Sequence, residues 1–172
     1  MNRCGEGKNS EINRTKLEAA RDFQAEIVIT EHRVLDWLLQ QPGVDPKRIA
    51  YIGHSYGGIA GDDLAGVEPR IAAFVLSGAV PSFAKHMEVN ESPYWQDARN
   101  YLPDAHAPVL VQCARFDTDD NVKGCPDMHS FAGGPKRLAC YDDDHNFTSL
   151  EAMRDRMSWL EKYLKLKPTK LR

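Results

Sequence analysis

Apolar residues along this chain form short, dense runs that are separated by longer segments with helical spacing. The runs are RIAYIG at 48–53, IAAFVLSGA at 71–79, PVLVQCA at 108–114 and, more weakly, KRLACY at 136–141. Runs of this length without apolar–polar alternation are typical of strands that are buried on both faces of a parallel sheet. The pattern therefore predicts about four parallel strands.

Two longer segments have the period of amphipathic helices. The first extends from about residue 13 to 40, where QQPG ends it because proline disfavours helix in the residue before it. Its apolar positions are Leu17, Ala20, Phe23, Ile27, Val34 and Leu38. The second follows a capping box from Thr148 to Glu151, and its apolar positions are Leu150, Met153, Met157, Leu160 and Leu164. A shorter helix is predicted directly after Ser55.

Strands that alternate with helices predict an α/β fold, a three-layer sandwich in which helices flank a parallel sheet. We expect residues 1–172 to form a single domain with an insert at about 81–107, to which the sequence assigns no one structure. Tyr94, Trp95 and Tyr101 give this insert an aromatic character. It either caps a pocket or packs over the sheet.

Composition argues against several classes of function. The 172 residues carry a formal net charge of −3 with both signs mixed, so neither nucleic acid nor an anionic membrane is an expected partner. No apolar run approaches the roughly 20 residues that cross a bilayer, and the first residues lack the apolar core of a secretory leader. We expect a cytoplasmic protein with reduced cysteines. Cys125 and His129 have no matching second pair of ligands, so no metal site is predicted.

The segment GHSYGG at 53–58 places a serine between glycines directly after the first apolar run. A G-x-S-x-G on a strand-to-helix turn exposes the serine hydroxyl above the sheet, and small flanking residues are needed where strand and helix approach closely. The N-terminus of the following helix offers backbone N–H groups to a developing oxyanion. The motif predicts Ser55 as a nucleophile and the Tyr56 N–H as an oxyanion donor. The alternative is a glycine-rich turn of any doubly wound fold.

A serine nucleophile needs a base, the base needs an orienting acid, and in this class the chain order is serine, acid, histidine. Asp117 follows the third apolar run and His145 follows the fourth, so both are expected at the same edge of the sheet as Ser55. Asp119 and Asp120 stay open as alternatives for the acid. The run Asp142–Asp144 is interpreted as a solvated turn.

Three segments together resemble the α/β-hydrolase superfamily: VLDWLLQQPGVDPKRIAYIGHSYGG, APVLVQCARFD and DDDHNF. More narrowly, they are similar to dienelactone-hydrolase-like proteins and prolyl-oligopeptidase-type catalytic domains. The resemblance implies the C-terminal half of that fold, with Ser55 as nucleophile, Asp117 as acid and His145 as base, and no cofactor. NRCGEGKNS is similar to the loop after the fourth strand of the superfamily.

The strands and the oxyanion loop that usually precede that loop are not among these residues. The first strand is therefore expected to form an exposed, apolar sheet edge that favours self-association. The expected function is a serine hydrolase that cleaves an ester or similar acyl bond through an acyl-enzyme, with peptidase or thioesterase chemistry as close variants. The alternative is a non-catalytic remnant or fragment of the fold with a binding or structural role.

Overall fold

The structure, a computed structural model, describes residues 6–81 and 97–167, without the side chains of 6–17 and 20. Its elements in chain order are α1 (Glu6–Leu39), β1 (Ala50–His54), α2 (Tyr56–Val67), β2 (Ala73–Ser77), β3 (Val109–Ala114), α3 (Asp119–Phe131), β4 (Lys136–Tyr141) and α4 (Leu150–Leu164). Two short 3-10 helices, Ala98–Asn100 and Leu102–Asp104, lie between β2 and β3. Three of the four apolar runs contain their strands completely, and β1 extends one residue beyond its run, to His54.

The four strands form one parallel sheet in the order β1-β2-β3-β4. Every residue of β2 and β3 is buried, as expected for strands covered on both faces, whereas β1 and β4 form the edges and are partly exposed. Because all strands are parallel, the segments that follow β1, β3 and β4 meet at one edge of the sheet. The predicted α/β fold with a helix-flanked parallel sheet is confirmed.

The helices cover the two faces of the sheet with separate apolar cores. On one face, side chains from α1, α2 and α3 pack against alternate residues of β2 and β3, among them Leu35, Leu64, Phe74 and Met128. On the other face, Trp159, Leu160 and Leu164 of α4 pack against Val75 and Leu110. Neighbouring residues of one strand, such as Phe74 and Val75, thus belong to different cores, which produces three layers.

Helix α1 differs from its prediction in both its start and its buried face. It begins at Glu6, earlier than residue 13, so the second half of the NRCGEGKNS segment is helical. Phe23 and Val34, which were expected to face the core, are 56% and 58% exposed, whereas Gln24 and Leu35 are buried. Apolar periodicity does not find this face, because Gln24 is polar yet buried, with hydrogen-bond partners on α2.

Helix α4 buries only part of the predicted face. Leu160 and Leu164 are buried as expected, together with Ala152 and Trp159, whereas Leu150, Met153 and Met157 are exposed. The N-cap is Ser149 rather than Thr148, because the Ser149 hydroxyl accepts a hydrogen bond from the Ala152 N–H at 3.2 Å. The capping box from Thr148 to Glu151 was therefore one residue out of register.

The outer edge of the sheet at β1 agrees with the expectation from the sequence. Within the described residues β1 pairs only with β2, and Ile52 at its centre is 50% exposed. Trp37 and Val34 of the neighbouring helix α1 are exposed as well. Self-association through this edge stays a prediction.

Two further expectations are tested only in part. Most of the insert, including Tyr94 and Trp95, lies outside the described residues, and its last part contains the two 3-10 helices with Tyr101 between them. Over residues 6–81 and 97–167, no helix combines the length and the apolar character needed to cross a membrane. The compartment of the protein stays a prediction.

Candidate active site

Ser55 occupies a strained turn between β1 and α2. Its backbone has φ 56° and ψ −119°, a region that residues with a Cβ rarely enter, at a cost of about 1–3 kcal/mol. Backbone hydrogen bonds hold the turn: the Ser55 N–H donates to the Ser77 carbonyl at 2.9 Å, and the Ser55 carbonyl accepts from the N–H of Gly58 at 2.9 Å. The sharp turn presents the side chain at the carboxyl edge of the sheet.

The glycines around Ser55 are not equally necessary. A Cβ on Gly53 would lie 2.1 Å from the Gly57 carbonyl oxygen, and one on Gly58 would lie 2.7 Å from the Ala79 Cβ. A Cβ on Gly57 would meet nothing closer than the Tyr51 hydroxyl at 3.9 Å. The expectation that both glycines of G-x-S-x-G are required for space is therefore wrong for Gly57. The second tight position is Gly58, one residue beyond the motif.

The structure brings the three predicted residues Ser55, Asp117 and His145 into one hydrogen-bonded line. His145 Nε2 lies 2.9 Å from Ser55 Oγ, and His145 Nδ1 lies 2.8 Å from Asp117 Oδ2. The Asp117 side chain is 1% exposed and that of His145 is 38% exposed. In the tautomer that satisfies both contacts, Nδ1–H donates to the carboxylate and Nε2 accepts from the serine hydroxyl. This arrangement can move a proton from Ser55 to His145.

The carboxylate beside His145 belongs to Asp117 rather than to its neighbours. Asp119, an alternative from the sequence, has a side chain that is 94% exposed and lies 3.6 Å from Lys123. Asp117 Oδ1 accepts hydrogen bonds from the Thr118 N–H at 2.7 Å and from Asn121 Nδ2 at 2.9 Å. These bonds leave Oδ2 directed at the imidazole. Asn121 on the first turn of α3 was not foreseen, because nothing in its local sequence marks it.

His54 supports the same histidine from the other side. Its Nε2 lies 2.6 Å from the backbone carbonyl oxygen of His145, so Nε2 carries the proton and donates, and the two rings are 4.9 Å apart. Nothing in the sequence indicates this contact. It connects the residue before Ser55 to the loop that carries His145.

The loop between β4 and α4 is held by a buried carboxylate. Asp143 is 7% exposed and accepts from the backbone N–H groups of Asp144 at 3.1 Å and Ser149 at 2.8 Å. The interpretation of 142–144 as a solvated turn is therefore wrong for Asp143. Gly78, at φ 58°, lies under the loop, where a Cβ would come within 3.3 Å of the His145 ring. These contacts place His145 above the end of the sheet.

Tyr56 is the first residue of α2, so its backbone N–H lies at the N-terminal end of the helix, next to Ser55. Its side chain extends to α1, where the hydroxyl donates to Gln24 Oε1 at 2.6 Å. Gln24 was not foreseen, because it is a polar residue among the apolar positions of α1 and nothing in its local sequence marks it.

Cys125 does not belong to this site. It is 1% exposed, and its thiol donates to the Gln112 carbonyl on β3. No group of three or more His, Cys, Asp or Glu side chains in the described part of the chain has an arrangement suited to a metal ion.

Two adjacent carboxyl groups are buried on α2, about two helical turns after Ser55. Asp62 is 1% exposed and Asp63 is 3% exposed. Burial raises the pKa of Asp62 well above its usual value, and the nearby charge of Asp63 raises it further. Burial also raises the pKa of Asp63, whereas hydrogen bonds from Gln24 and Asp62 lower it. Asp62 is therefore the carboxyl of the pair that keeps its proton.

We expect Asp62→Asn to flatten the dependence of stability on pH. A carboxyl with a raised pKa contributes full stability below its unfolded value of about 3.9 and loses that contribution as pH rises through its folded pKa. Asparagine can donate as the protonated acid does, but it does not titrate. Urea unfolding between pH 5 and pH 8 should show a falling free energy for the wild type and a flatter profile for the variant. The exposed Asp127→Asn should follow the wild type; parallel profiles for all three proteins contradict the prediction.

Comparisons with known proteins agree with the fold. No protein-family model and no curated protein matches the chain by sequence. Among solved structures, the acetyl xylan esterase from Paenibacillus sp. R4 is 20% identical, with a TM-score of 0.64 over 82% of this chain and 52% of that chain. The acylaminoacyl peptidase from Pyrococcus horikoshii is 16% identical, with a TM-score of 0.64 over 81% of this chain and 28% of the other. The α/β hydrolase GrgF from Penicillium sp. sh18 is 14% identical, with a TM-score of 0.69 over 83% and 73%.

Sheet order, helix placement and these matches define the class: the chain has the α/β-hydrolase fold, of which the described residues form a four-stranded part. The predicted fold is thereby confirmed. The chain spans about half the length of the acetyl xylan esterase that it matches. Esterases, a peptidase and other hydrolases are among the similar structures.

Proposed function

We propose that this chain carries the catalytic residues of a serine hydrolase that cleaves an ester or a similar acyl bond. The observation that carries the proposal is the continuous contact from Asp117 through His145 to Ser55, with the serine on a strained turn. The turn at Ser55 costs stability that the surrounding packing must offset, and backbone strain of this kind clusters at functional sites.

The proposed reaction proceeds in two steps. Ser55 Oγ attacks the scissile carbonyl carbon while its proton passes to His145 Nε2, and that proton then passes to the departing alcohol. Water, deprotonated by the same nitrogen, attacks the acyl-enzyme and releases the carboxylic acid, and the proton returns to Ser55. Asp117 holds the Nδ1–H tautomer of His145 and stabilises the imidazolium that forms in each step.

The negative charge on the carbonyl oxygen needs donors. The Tyr56 N–H is the proposed donor within this chain, because it follows the nucleophile at the first position of α2 and the helix dipole favours negative charge there. The superfamily usually uses a second N–H donor, and we expect it to come from a residue other than Tyr56.

An ester is the proposed bond because the similar structures include esterases. His145 would protonate an alcohol or an amine leaving group alike, so the triad itself does not distinguish the two. The partner is thus a small-molecule ester or acyl compound, with no cofactor. The competing proposal is a non-catalytic part of the fold with a binding or structural role.

Fluorophosphonate labelling, read by intact mass, tests the two proposals directly. The probe phosphonylates a serine only where a base removes its proton and the developing oxyanion is supported. We expect one adduct on the wild type, none on Ser55→Ala, and one on Ser130→Ala, in which an exposed serine outside the site is removed.

Each outcome has a definite reading. An adduct that persists in Ser55→Ala contradicts the nucleophile assignment. A folded wild type that takes no adduct contradicts the hydrolase proposal and supports a binding or structural role.

A further inference from the structure

The buried amide of Gln24 joins the residue after the nucleophile to the body of α2. Gln24 is 4% exposed; its Oε1 accepts from the Tyr56 hydroxyl at 2.6 Å, and its Nε2 donates to Asp63 Oδ2 at 2.5 Å. The orientation of the amide follows from these partners, because a carboxylate oxygen accepts and only the NH₂ group of the amide donates. Reversing the amide would set two acceptors against each other at Asp63.

The two partners of Gln24 are seven positions apart on α2, which is about two helical turns. Tyr56 stands at the first residue of the helix, where backbone groups are held least well, and Asp63 stands in the buried interior of the helix. The amide therefore connects the Tyr56 side chain to Asp63 in the buried interior of α2. The ring of Phe23 lies 5.8 Å from the Tyr56 ring and adds a second contact from α1.

A second pair of side chains holds the peptide on the other side of Tyr56. The Tyr51 hydroxyl lies 2.7 Å from Glu31 Oε1 and 2.8 Å from the Gly57 carbonyl oxygen. Glu31 is seven residues after Gln24 on α1, so both side chains lie on the same face of that helix. Helix α1 thus reaches the turn at Tyr56 and at Gly57, immediately beyond Ser55.

We propose that Gln24 is a positioning residue for the reaction, which holds the Tyr56 N–H at the oxyanion through the Tyr56 hydroxyl. The inference rests on the proposed hydrolase function and names a residue outside the triad. The 55–56 peptide keeps its orientation, because its carbonyl oxygen on Ser55 accepts from the N–H groups of Gly58 at 2.9 Å and Ile59 at 3.2 Å. The side chain and the N–H of Tyr56 share one Cα, so loss of the contact with Gln24 is expected to shift the N–H by a small distance rather than to turn it away. Misplacement of a catalytic group by about 1 Å can cost roughly 10²-fold in rate.

The matched control is a second polar contact between the same two helices. His32 Nδ1 lies 2.7 Å from Glu68 Oε2, at the end of α2 that is far from Ser55. If Gln24 only joins α1 to α2, then His32→Ala and Gln24→Met should lower stability and activity in the same proportion. If Gln24 positions the oxyanion donor, only its loss should change the chemical step.

The experiment compares Gln24→Met, Tyr56→Phe, their double variant and His32→Ala. Each is measured for the rate constant of phosphonylation by a fluorophosphonate, and for kcat and KM with a p-nitrophenyl ester and its thionoester, in which sulfur replaces the carbonyl oxygen. We expect roughly tenfold losses in the phosphonylation rate constant and in kcat for Gln24→Met and Tyr56→Phe. We expect little change in KM, no larger loss in the double variant, and wild-type kcat in His32→Ala.

The ratio of kcat for the oxygen ester to kcat for the thionoester distinguishes the two roles. A purely structural role of Gln24 would leave this preference for the oxygen ester unchanged. Sulfur accepts hydrogen bonds weakly, so a misplaced donor should lower the preference in the Gln24 and Tyr56 variants and leave it unchanged in His32→Ala. Tyr56→Phe keeps the backbone and ring, so the test stands even if Gln24→Met does not fold. A labelled wild type with unchanged preference and kcat in Tyr56→Phe overturns the positioning role and leaves the hydrolase proposal intact. A folded wild type that takes no label overturns both.

Discussion

Asp117→Asn is expected to lower kcat for an activated ester about 10⁴-fold with little change in KM. Asp117 Oδ2 accepts the Nδ1–H of His145 at 2.8 Å, and the carboxylate is almost fully buried. An asparagine amide that donates to Nδ1 selects the tautomer with the proton on Nε2. That nitrogen then has no lone pair with which to take the proton of Ser55, so the nucleophile is not activated. Steady-state hydrolysis of a p-nitrophenyl ester measures the effect.

Asp119→Asn is the control for this prediction. Its carboxylate is exposed and lies near Lys123 rather than near the imidazole. The variant should keep the wild-type rate, and both asparagine variants should unfold at similar urea concentrations. A normal rate in Asp117→Asn together with a large loss in Asp119→Asn would show that the acid had been misassigned.

Gly53→Ala should destabilise the fold by at least about 3 kcal/mol, or prevent folding altogether. The added methyl group would lie 2.1 Å from the Gly57 carbonyl oxygen and 2.7 Å from the Tyr51 ring. The Gly57 oxygen is backbone and is held by the Tyr51 hydroxyl, so it cannot move aside as a flexible side chain would. The start of α2 must shift instead, which separates Ser55 from His145. Urea unfolding followed by circular dichroism measures the loss.

Gly57→Ala provides the matched comparison within the same motif. Its methyl group meets no atom closer than 3.9 Å, and the residue is helical without a positive φ. Because alanine favours helix over glycine by up to about 1 kcal/mol, the variant should be as stable as the wild type or slightly more stable. Equal losses in both variants would contradict the distinction that the geometry makes between the two glycines.

Local patterns were sufficient to predict the strands, because strands that are buried on both faces are mostly apolar. The runs at β2 and β3 are buried at every residue, and each matches its predicted segment within two residues at either end. The positions of Ser55, Asp117 and His145 directly after β1, β3 and β4 also predicted that they lie at one edge of the sheet, as they do. Parallel strands bring their carboxyl ends together, so chain order alone predicts that these loops meet.

Helix faces were predicted less well, because periodicity records which residues are apolar and not which face a neighbour covers. Phe23 and Val34 on α1 and Met153 on α4 follow the helical period but remain exposed. Gln24 and Gln112 are polar yet buried, since each finds several hydrogen-bond partners in distant segments. No local pattern predicts the burial of such a residue, because it depends on hydrogen-bond partners from distant segments of the chain.

The sequence by itself therefore determined the strands, their parallel orientation and the turn at Ser55. It also determined the edge of the sheet at which the side chains of Ser55, Asp117 and His145 lie. Only the tertiary structure decided which aspartate faces His145, which glycine of the motif is indispensable, and that His54, Asn121 and Gln24 contact the site. The first set of features depends on backbone conformation and on the alternation of strands with helices, both of which short segments of the sequence determine. The second depends on distances between atoms far apart in sequence, which are defined only once helices and sheet have packed.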